Sequence, residues 1–386
     1  MESIGQGAYF DNAATTYPKP KNVYDFMDDF YRHSGGGSAG RGLYKGAKEA
    51  GRVVNETREQ LKTLFHTQQH EVLFTPSATE GMNLVLRGQE WQNGMTVYIS
   101  PFEHNAVVRV LHYLKKSYAL DIVELSVKMD GLVYDIEKIH EQFQEQKPSI
   151  VVVSHASNVC GSIAPVEEIF REAKMHHAIT ILDMAQTAGL IELDLNRAYV
   201  DFAIFAGHKT LYGPFGAAGV LRRMDKPLSP LIYGGTGIDS ANLDLPVAGP
   251  ERYEAGSKNL LAIAGLHAAL NWGQNIGIEN IYKKEQENKN KLISVLQAYE
   301  NIQIFLGKNQ IGVVSCIFNG YASDDIGRVL NEQGVAVRTG LQCAPFAHRF
   351  LHTFPAGTVR FSVSYFTTDK DFQVLRSALD YIAEND

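Results

Sequence analysis

The sequence predicts an α/β fold with a mostly parallel, seven-stranded sheet in a large domain and a smaller α/β domain at the C-terminal end. Three observations carry this expectation. Short β-rich runs alternate with amphipathic stretches through the first half of the 386-residue chain, the pattern of strand–helix–strand crossovers. The run Ile150-Val-Val-Val153 is continuously apolar rather than alternating, as a strand covered on both faces requires. A stretch rich in Gly and Pro, between about residues 227 and 259, then interrupts the pattern before a second, shorter series begins.

Taken in order, strands are expected at 72–74, 96–100, 121–126, 149–154, 179–183, 201–206 and 217–221. Helices are expected at 45–66, 80–87, 104–116, 134–144 and 165–177. The irregular stretch is long enough to mark a functional loop or a domain junction. Beyond it, helices are expected at 258–273 and 279–300, followed by strand 312–318, helix 324–333, strand 358–363 and helix 369–384. The division expected is residues 16–250 for the large domain, and 1–15 with 251–386 for the small one.

Composition narrows the function classes. Apolar residues make up 45% and charged residues 20%, which excludes disordered, collagen-like and coiled-coil chains. The net charge of -7, from 36 basic and 43 acidic residues, supplies no electrostatic reason for a nucleic-acid or membrane partner. The N-terminal run MESIGQGAYFDN has neither a basic nor an apolar signal region. No apolar run approaches the ~20 residues of a membrane span. The three cysteines, Cys160, Cys316 and Cys343, form no CxxC pair; they suggest free thiols in a reducing cytoplasm. No metal is expected.

The sharpest local signal is Phe205-Ala-Gly-His-Lys-Thr-Leu-Tyr-Gly-Pro214. Lys209 follows an apolar strand, at the carboxyl end where α/β sheets bind ligands. Partial desolvation there would free its amine for Schiff-base chemistry, although a lone lysine in a turn is more often a surface residue. Asp183 ends another buried strand, 26 residues earlier; it reads as a partner for a protonated ring nitrogen or as a helix cap. Gln186, three residues on, could reach a ring hydroxyl or cap the same helix. The segment Thr75-Pro-Ser-Ala-Thr79 opens a helix after a strand, which makes a phosphate site or an ordinary cap. His104 follows a further strand end and could stack on a flat ligand. An amine, an acid, a helix-end phosphate site and a planar stacker together point to pyridoxal 5′-phosphate.

The order and spacing of these motifs, over essentially the whole chain, resemble class V aminotransferases of the fold-type-I pyridoxal-phosphate superfamily. Within it the chain is similar to the cysteine desulfurases. The resemblance rests on Tyr9-Phe-Asp-Asn-Ala-Ala-Thr-Thr16, 75–83, Glu103-His104, Ser157-Asn-Val159, 183–186 and Gly207-His-Lys209, and ends with Arg338-Thr-Gly-Leu-Gln-Cys-Ala-Pro345 and Val359-Arg360-Phe-Ser362. The cysteine context is similar to the group II, SufS-type branch, which includes selenocysteine lyase-like proteins.

The resemblance implies that Lys209 binds the cofactor covalently, Asp183 pairs with its ring nitrogen, Gln186 meets its hydroxyl, and His104 stacks on it and serves as acid or base. It implies Thr79 and His208 as phosphate ligands, with Ser257 reaching the phosphate of a neighbouring subunit in a homodimer. Asn158 and Arg360 match groups that hold the substrate carboxylate, and Arg338 supports that pocket. Cys343 would take sulfur from L-cysteine as a persulfide, leaving L-alanine, and pass it to an acceptor protein. Its thiolate needs positive charge nearby, for which Arg338, His348, Arg349 and Arg360 are candidates; Cys160 and Cys316 read as inert. The chain departs from the pattern at Ala206, where many relatives carry Ser or Thr as a phosphate ligand, and at Gln342, where SufS-type proteins often have His. Tyr17-Pro-Lys-Pro20 and 35–41 (GGGSAGR) also differ. Alternative readings are a selenocysteine lyase, another class V aminotransferase or lyase that makes Cys343 incidental, and a non-enzymatic sulfur-pathway scaffold.

Overall fold

A computed structural model describes residues 7–34, 37–39, 42–238 and 241–385. Of the segment 35–41, Gly35, Gly36, Gly40 and Arg41 lie outside the described residues. The large sheet has seven strands: β1 (His70–Thr75), β2 (Thr96–Ile99), β3 (Asp121–Glu124), β4 (Ile150–Ser154), β5 (Ile179–Asp183), β6 (Phe202–Ala206) and β7 (Ala218–Arg223). Their spatial order is β1-β7-β6-β5-β4-β2-β3. The run β6-β5-β4-β2-β3 is parallel throughout, and β7 is antiparallel to both β1 and β6.

The alternation of side chains across the sheet divides the core in two. Val151, Val153, Leu182 and Phe205 pack on one face. Their neighbours Val152, Ile181 and Ile204 pack on the other, against Val107 and Leu111. All of them are at most 1% exposed, which is why the strands read as unbroken apolar runs.

The smaller sheet is antiparallel: β8 (Ile302–Phe305), β9 (Val313–Phe318), β10 (Arg338–Gly340) and β11 (Thr358–Ser362), in the order β8-β9-β11-β10. The helix Asp369–Glu384 covers it through Phe372, Leu375 and Leu379, and starts in a capping box made by Thr368 and Asp371. The N-terminal strand Ala8–Tyr9 pairs with Val335–Ala336, and the segment after it reaches the turn beyond β6, where Thr16 N donates to His208 O. The helix Leu260–Ile276, capped by Asn259, buries Ile263 and Leu266 in the same core as Leu182 and Phe205. The irregular stretch before it is anchored by buried Glu254, which accepts from Phe74 N and Arg58 Nη2, each at 2.7 Å. Among the described residues no helix is long and apolar enough to cross a membrane.

Gly207 sits in the tight turn between β6 and Lys209, and a Cβ there would press on the Ala217 carbonyl oxygen. Backbone cannot yield as a flexible side chain does. Gly207→Ala should lower unfolding stability by about 1–3 kcal/mol, measured by denaturant titration; an unchanged midpoint would show that the turn has room.

Candidate active site

The carboxyl ends of β4, β5 and β6 open on a cavity of about 240 Å³. It lies where the strand order reverses: the chain leaves β2 for the outer strand β3 and returns to β4. Ligands bind at such a point in open α/β sheets. Ser154 and Asn158 reach it from the end of β4, Asp183 and Gln186 from β5, and Ala206, His208 and Lys209 from β6. The start of the helix Ala78–Arg87 brings Thr79, and the turn after β2 brings His104.

Each side chain is held by its local structure. Ser77, not Thr79, caps the helix Ala78–Arg87 by accepting from Glu80 N at 3.2 Å. Thr79 therefore stands in the first turn, where backbone N–H groups lack intrahelical partners. His104 caps the helix Asn105–Tyr118: its Nδ1 accepts from Ala106 N at 3.0 Å. That bond puts the ring proton on Nε2. Burial, reinforced by Lys209 and three arginines, lowers the His104 pKa to about 4, so the ring is neutral at physiological pH. Asp183 Oδ1 accepts from Ala185 N at 2.9 Å, and Gln186 Nε2 donates to Ala13 O at 3.0 Å. Burial raises the Asp183 pKa, opposed by the Ala185 N–H and by Lys209. Burial lowers the Lys209 pKa, opposed chiefly by Asp183. His208 stacks on Phe215 with ring centroids 4.4 Å apart, and its buried Nδ1 has no partner.

Cys343 is exposed and precedes the short helix Pro345–Phe350. Two consecutive residues, Gln342 (φ 39°) and Cys343 (φ 60°), adopt left-handed backbone, a strained arrangement that surrounding bonds must hold. Asn105 N donates to Cys343 O and Asn158 Nδ2 to Gln342 O, both at 2.7 Å. The loop is thus tied to the helix behind His104 and to the turn after β4. Arg338 Nη2 lies 4.0 Å from Cys343 Sγ. Arg338 and Arg360 are cross-strand partners on β10 and β11. Arg360 is buried, and its Nη2 donates to Asp11 Oδ1 at 2.6 Å and its Nη1 to Asn158 O at 2.9 Å, while its buried Nε has no partner.

The family model for aminotransferase class-V matches residues 8–375. The chain belongs to the class-V aminotransferase family. A probable cysteine desulfurase of Methanothermobacter thermautotrophicus is 30% identical over 384 residues, covering 97% of this chain and 94% of the relative. A cysteine desulfurase of Shigella sonnei is 31% identical, covering 87% and 84%. The apo structure of a cysteine desulfurase from Thermococcus onnurineus NA1 superposes with a TM-score of 0.90 at 26% identity, covering 98% of this chain and 95% of that one.

Most of the residues expected from the class-V aminotransferase pattern converge. Thr79, His104, Asn158, Asp183, Gln186, His208 and Lys209 line one cavity, and the Cys343 loop is bonded to its rim. Ser257 does not join them: it is exposed and lines a separate groove with Tyr31, Ser38 and Lys258. One expectation about charge near Cys343 is corrected. His348 is buried, bonded through Nδ1 to Thr353 Oγ1 and through Nε2 to Gln342 Oε1, and burial lowers its pKa to about 4; a neutral ring offers no cation. Arg349 lies over the rings of Phe346 and Phe354. Cys160 and Cys316 are wholly buried, as expected of inert thiols.

Three residues have roles that the sequence did not disclose. Gln342 is the hub of the cysteine loop: its Nε2 donates to Thr358 O at 2.9 Å while its Oε1 accepts from His348. Asp11 holds Arg360. Glu103, fully buried beside His104, accepts from both N and Oγ of Ser154, at 2.6 and 2.8 Å. Burial, with Asp183 adding to it, pushes the Glu103 pKa up to about 8. A carboxyl group raised in this way keeps its proton in the folded state while the unfolded chain has already released it. Its contribution therefore lowers stability as pH rises from the ordinary carboxyl range toward 8. Glu103→Gln should flatten that decline, seen in denaturant midpoints at about pH 5 and about pH 7.5; an identical slope in both proteins would disprove the protonated state.

Proposed function

We propose that this chain is a pyridoxal 5′-phosphate-dependent cysteine desulfurase, which takes the sulfur of L-cysteine onto Cys343 and releases L-alanine. The observation that carries it is the exposed Cys343 thiol beside Arg338, on a loop bonded to the rim of the cavity lined by Lys209 and Asp183. The names of the relatives support the same reading.

The residues fit the cofactor on their own chemistry. Asp183 has one oxygen engaged by Ala185 N and the other available to a cationic ring nitrogen. His208 offers a buried, unpartnered nitrogen next to a helix start that favours phosphate. His104 presents its ring to the cavity in a fixed, neutral form. Lys209 would bind the cofactor, Gln186 would meet its hydroxyl with its remaining N–H, and Thr79 and His208 would hold its phosphate. Bound there, the cofactor supplies an electron sink for the substrate's α-carbon.

The chain's own groups do the rest. Asn158, Arg360 and Arg338 form the carboxylate pocket, with Arg360 oriented by Asp11 and by the Asn158 carbonyl. Lys209 and His104 move protons at Nζ and Nε2. The Cys343 thiolate attacks the substrate sulfur: an S–S bond forms, the substrate Cβ–S bond breaks, and carbon keeps the electron pair and takes up a proton. Arg338 faces the attacking sulfur with opposite charge. The two tethers hold the resulting persulfide near the cavity, so its release calls for a reductant or an acceptor protein.

Two domains, residues 16–250 and residues 1–15 with 251–386, and a C2 homodimer belong to the same proposal. Ser257 lies on an open groove, near a stretch that exposes Tyr233, Leu243 and Val247, and a second copy placed there would bring Ser257 to its partner's phosphate. Light scattering at micromolar concentration should give the dimer mass; a fully active monomer would remove this part of the reading.

Cys343→Ser should keep the cofactor's visible absorption band and lose sulfur release from L-cysteine by about 10²-fold or more. Mass spectrometry after L-cysteine treatment of the wild-type chain should find one added sulfur, on the Cys343 peptide. Wild-type turnover in the Ser variant would instead support an aminotransferase or lyase in which Cys343 is incidental.

A further inference from the structure

Lys19 is a shielded charge for which the reading above has no task. It lies in Tyr17-Pro-Lys-Pro20. Its Nζ donates to His208 O at 2.6 Å, to Thr16 Oγ1 at 2.8 Å and to Thr15 Oγ1 at 3.4 Å. All three acceptors are neutral, and among the described residues no carboxylate pairs with it. Burial lowers its pKa to about 7. An ammonium withdrawn from water without a counter-charge is costly, and the cost falls when an anion arrives.

The surroundings say where an anion would sit. Lys19 grips the backbone of His208, and the His208 ring lines the cavity with a buried, unpartnered Nδ1. The start of the helix Ala78–Arg87 lines the same cavity and carries partial positive charge. Among the described residues, Asp183 is the sole carboxylate on the cavity wall. Ala206 lines the same cavity and contributes no hydroxyl to it.

We propose that Lys19 is a positioning residue for the phosphate of the cofactor: it fixes the turn that carries His208 and supplies the positive charge that offsets the hydroxyl missing at Ala206. This rests on the cofactor reading above. It assigns to Tyr17-Pro-Lys-Pro20 the role of completing the anion site from the far end of the chain.

The test compares two probes on the cofactor-free protein, pyridoxal 5′-phosphate and pyridoxal, titrated by their absorption changes. Lys19→Met should weaken pyridoxal 5′-phosphate by about tenfold and pyridoxal by less than about twofold, since one nearby charge acts on the phosphate alone. Lys19→Arg should restore the preference to within about threefold of wild type, because the charge is kept. In the wild-type protein the preference for the phosphorylated probe should fall as pH rises from about 7 to about 9, above the phosphate's own titration near pH 6, because Lys19 loses its proton there. This last arm decides the matter if Lys19→Met does not fold. Equal loss of both probes would make Lys19 a backbone clamp only, and a flat pH dependence or an unchanged Met variant would equally overturn the proposal. Wild-type protein that binds neither probe would remove the cofactor reading itself.

Discussion

Arg360 joins three parts of the molecule with one guanidinium. It stands on β11 of the smaller sheet, grips Asp11 in the N-terminal segment, and donates to the Asn158 carbonyl at the end of β4. The Asp11 contact spans 349 residues of sequence. Around it the N-terminal segment is stitched to β11 through Ser362, which accepts from Ala13 N and donates its own N–H to Phe10 O. Withdrawing one partner of a buried pair leaves an uncompensated charge and costs about 3–5 kcal/mol. The smaller sheet carries Arg338 and leads into the cysteine loop, so the position of that loop over the large sheet depends on this knot.

The cavity beneath is electrically lopsided. A carboxylate, Asp183, lies at the end of β5, while Lys209, Arg338 and Arg360 act on its other groups. His104 is kept neutral among these cations. Glu103, next to His104 in sequence and bonded to Ser154, is kept protonated by burial and by the nearness of Asp183. Two carboxyl groups so close together cannot both ionise cheaply. Burial raises the Asp183 pKa as well, but there the Ala185 N–H and Lys209 oppose it.

Much of the larger sheet was legible because its signals are local. Unbroken apolar runs marked β4, β5 and β6, and a topology that gathers strand ends collected Asp183, Lys209 and His104 without knowledge of any contact. The antiparallel course of β7 also left a sign: the connection from Ala206 to Ala218 contains no crossover helix, which a parallel neighbour would need. Short elements were missed, among them the helix Lys21–Asp29 and the strands β8 and β10. Lys19, Asp11 and Gln342 were illegible as site residues for a different reason. Lys19 acts on a carbonyl 189 residues away, and nothing in a Pro-Lys-Pro triplet announces that partner. The charge of His348 failed on burial: a histidine beside a cysteine in sequence reads as a cation until its two nitrogens are found engaged.

The three cysteines differ sharply in access: Cys160 and Cys316 are sealed in the core, and Cys343 is open to solvent. Burial raises the pKa of both sealed thiols, which keeps them in the unreactive form. An oxidant arriving from solvent therefore meets one thiol first, and it is the one that sulfur chemistry would use. Oxidation there to the sulfenic or sulfinic level adds oxygen atoms at the surface and leaves the core packing untouched. Oxidative loss of function is thereby uncoupled from loss of fold. A damaged molecule would remain folded, so that repair or replacement has to be triggered by something other than unfolding.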